Sequence, residues 1–99
     1  MPALINDFIV PATWTQLSVV SQLFGGTITS KNTNTGTILF RGRSLPSMNG
    51  AVVSGEYLPV SGPIVDLADI EVQCAGVANQ VLKIYGVIYA STPPLVNLV

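Results

Sequence analysis

The side chains of this sequence that could do chemistry are few, and they fall into two small clusters of opposite charge. Arg41 and Arg43 carry two of the four positive charges. Arginine binds phosphates and carboxylates through paired hydrogen bonds, but two charges at a strand end also keep a sheet edge soluble. We therefore treat Arg41 and Arg43 as candidates for a subunit interface and not as an isolated anion site.

The second cluster is acidic and consists of Asp66, Asp69 and Glu71. Oxygen ligands at close spacing can bind calcium, but this segment lacks the glycine-bearing loop of a calcium site. A pair of carboxylates could also serve glycoside hydrolysis, although nothing in the spacing selects that chemistry. Surface charges at a turn that enters a strand are the simpler interpretation, and we predict no metal site.

Nucleophilic catalysis is disfavoured by composition, because the chain has no histidine and a single cysteine. A Cys-His nucleophile and a Ser-His-Asp triad both require the missing imidazole. Cys74 lies on the inward side of an alternating segment, which is typical of a small buried apolar residue. No glycine-rich phosphate loop is present, so we expect no catalytic residue, no cofactor and no enzymatic activity.

Aromatic side chains could form a platform for sugars. The candidates are Trp14, Tyr57, Tyr85 and Tyr89. Packing in a core or an interface is the simpler role for each of them. A sugar site would need an exposed aromatic cluster beside a polar loop, such as residues 32–35 or 47–50.

The low charge of the chain points to contact with other subunits. Charged residues make up 9% of the sequence, against about 25% in typical globular domains, and a net charge near zero favours association. The net charge of −1 gives no reason to expect nucleic acid as a partner. The sequence has neither a signal-peptide pattern nor an apolar run of about 20 residues, so we expect synthesis in a cytoplasm and no membrane partner.

Frequent turn signals separated by β-branched residues predict an all-β chain. The predicted strands are residues 8–10, 13–20, 27–31, 37–41, 51–53, 57–60, 69–75 and 81–90. Gly25 and Gly26 are predicted to separate two strands, and residues 32–36 to close a hairpin between 27–31 and 37–41. Residues 66–69 are expected to form one helical turn at most. Seven or eight short strands predict a single antiparallel β-sandwich, of jelly-roll or immunoglobulin-like type.

The last predicted strand is apolar on both faces. Leu82 and Ile84 point one way, with Ile88. Tyr85, Val87 and Tyr89 point the other way. A sheet with one solvated face should alternate apolar and polar residues, so we expect the outer face to be covered by the termini of the chain or by another subunit.

The two ends of the chain are apolar as well. We predict an N-terminal arm over residues 1–12, a sandwich domain over 13–90 and a C-terminal arm over 91–99. Two prolines, Pro93 and Pro94, end the last strand and hold the following segment extended. The arm residues predicted to contact a neighbour are Leu4, Ile5, Phe8, Ile9, Leu95, Val96, Leu98 and Val99, which join Arg41, Arg43, Tyr85, Val87 and Tyr89 as interface candidates.

The order of segments resembles a known class of proteins. After Trp14, the chain reads GGTITSKN, TGTILFRG, NGAVVSGEYL, DLADIEVQC and QVLKIYGVIY. Over residues 13–90 this series resembles the small all-β structural proteins that tailed bacteriophages carry on their virions.

The resemblance implies a non-enzymatic virion component, most simply a capsid decoration or cement protein. It also implies a homotrimer or other symmetric oligomer that binds a major capsid protein or another virion protein. The alternative is a receptor-binding or carbohydrate-binding knob of a tail fibre or spike.

Overall fold

The computed structural model describes residues 3–59 and 64–91, which form eight strands and one short helix. The strands are β1 (Ala3–Val10), β2 (Thr15–Gln16), β3 (Gln22–Ser30), β4 (Thr37–Gly42), β5 (Asn49–Val52), β6 (Val65–Asp66), β7 (Ile70–Ala75) and β8 (Gln80–Ser91). A 3-10 helix spans Leu67–Asp69, which confirms the predicted single turn. The alternating segment of β7 and the long last strand are also confirmed.

The strands form two four-stranded antiparallel sheets, so the predicted β-sandwich is confirmed. Sheet A has the order β1-β8-β3-β6 and sheet B the order β2-β7-β4-β5. The paired strands are β1 with β8, β2 with β7, β3 with β6 and β4 with β5. This is the pattern of one long hairpin rolled into two layers, which is the jelly-roll arrangement and not the immunoglobulin-like one.

The predicted hairpin over residues 27–41 is wrong, because β3 belongs to sheet A and β4 to sheet B. The loop between them crosses from one sheet to the other. Asn34 Nδ2 donates to the Val81 carbonyl at 2.8 Å, and Asn34 Oδ1 accepts from the Val81 N–H at 2.8 Å. The Gln80 side chain accepts from the N–H groups of Thr35 and Gly36. The polar loop is therefore bound to the start of β8.

The predicted N-terminal arm is also wrong where the structure describes it. Ala3 to Val10 pair with β8 in an unbroken register, from Ala3 opposite Val87 to Val10 opposite Gln80. Val10 is fully buried, and Leu4 and Phe8 pack against the core. The sequence predicted only residues 8–10 of this strand, because two consecutive polar residues, Asn6 and Asp7, interrupt the alternation. The C-terminal arm lies outside the described residues, apart from Ser91 at the end of β8.

Two other predicted strands are much shorter in the structure than predicted. Residues 13–20 contain only Thr15–Gln16 as a strand, since the Ser18 hydroxyl bonds to the Val20 carbonyl at 2.6 Å and favours a local turn. In the described part of residues 57–60, Tyr57 makes an isolated bridge to Thr29, and residue 60 lies outside the described residues.

Gly25 and Gly26 do not separate strands but lie inside β3, where they allow a close approach. Gly26 faces Gly86 of β8. A Cβ atom on Gly86 would lie 2.2 Å from the Gly25 carbonyl oxygen and 2.8 Å from the ring of Phe24. The missing side chains therefore leave room for the buried Phe24 ring, as glycine does where backbones approach closely.

The core lies between the sheets. Its buried apolar residues are Val10, Leu17, Phe24, Ile28, Ile38, Val52, Leu58, Leu67, Val72, Cys74, Leu82 and Ile84. Every strand of four residues or more supplies at least one of them, so the two sheets share one core.

Replacement of Asn34 tests the role of the crossing loop. Asn34→Ala removes both bonds to Val81 and the bond to the buried Ser30 hydroxyl. At roughly 1 kcal/mol for each net hydrogen bond, we expect the free energy of unfolding to fall by about 3 kcal/mol in urea denaturation. Asn32→Ala, at an exposed position in the same loop, is the control. Equal stability of the two variants would contradict this role.

Candidate interaction surface

The outer face of sheet A is built by cross-strand pairs between β1 and β8. Ile5 lies opposite Tyr85, and Ala3 opposite Val87. Residues directly opposite each other in a sheet share a face. The alternate residues of both strands therefore form one surface, which we call the A face: Ala3, Ile5, Asp7, Ile9, Val81, Lys83, Tyr85, Val87 and Tyr89.

The A face is exposed in the described part of the chain. Ile5 and Ile9 each retain 64% of their accessible surface, Tyr85 56% and Tyr89 45%. Single exposed apolar residues are normal in proteins, whereas a contiguous patch marks an interaction site. Strand β1 does not cover this patch, because it lies beside β8 in the sheet and not over it.

Charge is confined to one row of the A face. Asp7 lies opposite Lys83, and the Asp7 carboxylate pairs with Lys31 Nζ at 3.1 Å. A surface ion pair of this kind contributes little stability. Beyond this row, toward Tyr85 and Tyr89, the described side chains of β1 and β8 on this face are apolar or aromatic.

Arg41 and Arg43 lie away from this patch, on the side of sheet B. Arg41 is opposite Glu71 in the pairing of β4 with β7. Its Nε atom lies 2.9 Å from a Glu71 carboxylate oxygen, and its guanidinium carbon lies 4.1 Å from the centre of the Trp14 ring. Arg41 is thus held by an ion pair and a cation–π contact, and Arg43 is exposed in the loop after β4. The structure therefore places the described interface candidates on the sides of two different sheets.

The three acidic residues do not form a common site, because each has its own partner. Asp69 accepts hydrogen bonds from the backbone N–H and hydroxyl of Ser44, while Glu71 binds Arg41. Within residues 3–59 and 64–91, no group of three or more potential ligands could hold a metal ion.

Asp66 is the acidic residue most tightly bound to the fold. Its carboxylate accepts from the Ser21 hydroxyl at 2.6 Å and from the N–H groups of Gln22 and Ala68 at 3.0 Å each. Burial raises the pKa of this carboxyl, but the three hydrogen bonds outweigh burial and leave the pKa below its ordinary value. Asp66 thereby ties β3 to the 3-10 helix.

Cys74 and the four aromatic candidates do not come together at one site. Cys74 is buried, and its Sγ atom contacts the Val10 carbonyl at 3.0 Å. Tyr85 and Tyr89 lie in the second half of β8, whereas the polar loop at residues 32–35 is bound to the start of that strand. Trp14 contacts Arg41 beside sheet B, so these rings are spread over both sheets.

A cavity of about 610 Å³ is lined by residues of β4, the β4–β5 loop, β6 and the 3-10 helix, among others. Its apolar lining includes Phe40, Leu45, Met48, Leu58, Val65 and Ile70. This cavity could not be predicted from the sequence, because its wall combines the β4–β5 loop with the 3-10 helix. Its charged groups, Arg41, Asp66 and Asp69, are already bound within the chain. Ligand sites usually present convergent polar groups, and these three are occupied by structural contacts.

The helix content of the described residues is a single 3-10 turn, and no helix there is long and apolar enough to span a membrane. No protein-family model, curated protein or solved structure matches the chain. The assignment of a function therefore depends on the geometry and on the sequence pattern.

The lowered pKa of Asp66 predicts a pH dependence of stability. Because the folded state holds the ionised form, this stabilisation is complete above the unfolded-state pKa of about 3.9 and is lost as pH falls through the lower folded-state pKa. We expect Asp66→Asn to cost about 1–3 kcal/mol at pH 7. The cost should shrink in acid, as measured by urea denaturation at several pH values. A cost independent of pH would contradict this account, and Asp7→Asn provides an exposed control.

Proposed function

We propose that the protein is a non-enzymatic structural subunit of a larger assembly and that the A face contacts its neighbours. The observation that carries the proposal is the apolar patch of Ile5, Tyr85, Val87 and Tyr89 on paired strands β1 and β8. The inner side of β8 supplies Leu82 and Ile84 to the core. A strand that is apolar on both sides fits a place between a core and a neighbouring subunit.

The assembly that we propose is a bacteriophage virion, with this chain as a capsid decoration or cement protein. The resemblance of residues 13–90 to small virion proteins supports this proposal. The jelly-roll order of the strands agrees with it, because capsid proteins commonly use that fold. One fold can serve many functions. The A face is therefore stronger support for the proposed function than the strand topology. The partners would be copies of the same chain in a symmetric oligomer, such as a trimer, and a major capsid protein.

The proposed mechanism is adhesion through many modest contacts. A stable interface of standard size buries about 1,600 Å² in total, and tyrosine suits it because an apolar ring carries a polar tip. The patch around Tyr85 and Tyr89 can be buried without the desolvation of a charged group. Repetition around a symmetric shell then adds weak contacts through multivalency.

A carbohydrate-binding or receptor-binding knob is the second candidate, and the exposed rings of Tyr57, Tyr85 and Tyr89 favour it. Exposed tyrosine rings can stack on sugars. A glycan array distinguishes the two proposals: specific hits that disappear in Tyr85→Ala would favour the knob, and a complete lack of binding would count against it.

Substitution on the A face tests the structural proposal. In the double variant Tyr85→Lys/Tyr89→Lys, two charges replace the exposed rings, and burial of unpaired charges is costly. We expect self-association, measured by sedimentation velocity, to weaken by at least tenfold, while the unfolding transition in urea changes little.

Val53→Lys is the matched control, because Val53 is also an exposed apolar residue but follows β5 of sheet B. It should associate like the unmodified chain. Association that survives in the double variant, or that is lost equally in Val53→Lys, would contradict a role for the A face.

A further inference from the structure

The four edges of the two sheets differ greatly in length. The edge strands β2 and β6 have two residues each, and β5 has four. The edge strand β1 has eight residues. Proteins usually protect long edges with proline, bulges or several charges, but β1 has one charged residue, Asp7, and an unbroken register with β8. Among the described strands, β1 is therefore the edge best suited to accept another strand.

The direction of the backbone groups shows which residues would make the new bonds. The Val10 carbonyl accepts a hydrogen bond from the Asn79 N–H at 3.1 Å. The backbone N–H and C=O groups of Val10 therefore face β8. Successive residues of a strand point their backbone groups to opposite sides. The N–H and C=O groups of Ala3, Ile5, Asp7 and Ile9 therefore face the open edge.

We propose that β1 pairs with β1 of a second copy of this chain, antiparallel and around a two-fold axis at Asn6. Ala3 then lies opposite the partner's Ile9, and Ile5 opposite the partner's Asp7. This inference rests on the proposed function and deepens it, because it names the partner at one contact. The two A faces come to lie on one side of a continuous eight-stranded sheet.

Charge and backbone pairing favour this register over the one shifted by two residues toward Pro11. A shift of two residues in one direction would put Asp7 directly opposite the partner's Asp7, and like charges in that position are destabilising. The same shift would place Ala3 opposite the partner's Pro11, which has no N–H to donate. In the proposed register all four outward residues are paired, and Leu4 faces the partner's Phe8 at the edge of the two cores.

A second copy of this chain fits the open edge because, in the antiparallel register, β1 is complementary to another β1. The Asp7 charge is already balanced by Lys31, and the other outward side chains, Ala3, Ile5 and Ile9, are apolar. A two-fold interface needs one patch that matches its own copy, and β1 provides that match in sequence, charge and hydrogen-bonding groups.

Cysteine cross-linking tests the register. At the axis the two Asn6 residues form a non-hydrogen-bonded pair with Cα atoms about 4.5 Å apart, within the range for a disulfide. We expect Asn6→Cys to give a disulfide-linked dimer on mild oxidation, seen by intact mass without reductant. The buried Cys74 does not compete.

Asp7→Cys is the matched control, because two copies of residue 7 would be diagonal neighbours about 7–8 Å apart, beyond the usual range for a disulfide. It should remain unlinked. Failure of Asn6→Cys to link, equal linking of both variants, or linking of Asp7→Cys alone would overturn the proposed pairing.

Proline substitution tests the backbone bonds. Ile5→Pro removes an N–H that faces the open edge and leaves the bonds between β1 and β8 in place, and proline is tolerated at such edges. We expect the light-scattering mass to fall by half for Ile5→Pro and to remain unchanged for Ile5→Val, with the same unfolding transition. An unchanged mass for a folded Ile5→Pro would overturn the inference.

The mass of the unmodified chain separates this inference from the proposed function. An even number of chains supports it, whereas a trimer would overturn the two-fold pairing and leave the structural proposal intact. A monomer would also overturn it. Hydrogen exchange at Ile5, Asp7 and Ile9 would then show whether the chain covers its own edge, with slow exchange, or leaves it open to a different protein, with fast exchange.

Discussion

The architecture depends on the attachment of the loop after β3 to the first residues of β8. The Asn34 amide binds both backbone groups of Val81, and the Gln80 amide oxygen binds the loop in return. Because the polar groups of the loop are hydrogen-bonded there, the chain can leave sheet A and continue as β4 in sheet B. β8 then lies between β1 and β3 at the centre of sheet A. The rolled hairpin of the jelly roll follows from this crossing.

The central position of β8 gives its two faces different roles. Its inner face packs into the core, where Gly86 leaves room for the Phe24 ring. Its outer face joins that of β1 and remains apolar and exposed. The charged residues Arg41, Asp66 and Asp69 are meanwhile used to fix strands and loops to one another. These three charged groups are therefore engaged within the fold while an apolar surface stays exposed, and this contrast underlies the proposed structural role.

The sequence predicted those parts of the fold that depend on local pattern. The alternation of Val72 and Cys74 identified β7, and the two apolar faces identified β8. The hairpin prediction failed because Asn34 binds a residue 47 positions away, a contact that turn chemistry cannot reveal. The arm prediction failed because Asn6 and Asp7 interrupt the pattern, so that only residues 8–10 of β1 could be predicted as a strand. Ile5 and Tyr85 could be chosen separately as contact residues, but their placement on one face required the register between β1 and β8.

The light-scattering mass of the unmodified protein, measured over a wide range of concentration, tests the central claim most directly. The chain has a mass of 10.4 kDa. If the A face and the edge of β1 are subunit contacts, the measured mass will be a fixed multiple of that value and will fall only on dilution. A mass of 10.4 kDa that stays constant up to high concentration would contradict self-assembly through sheet A.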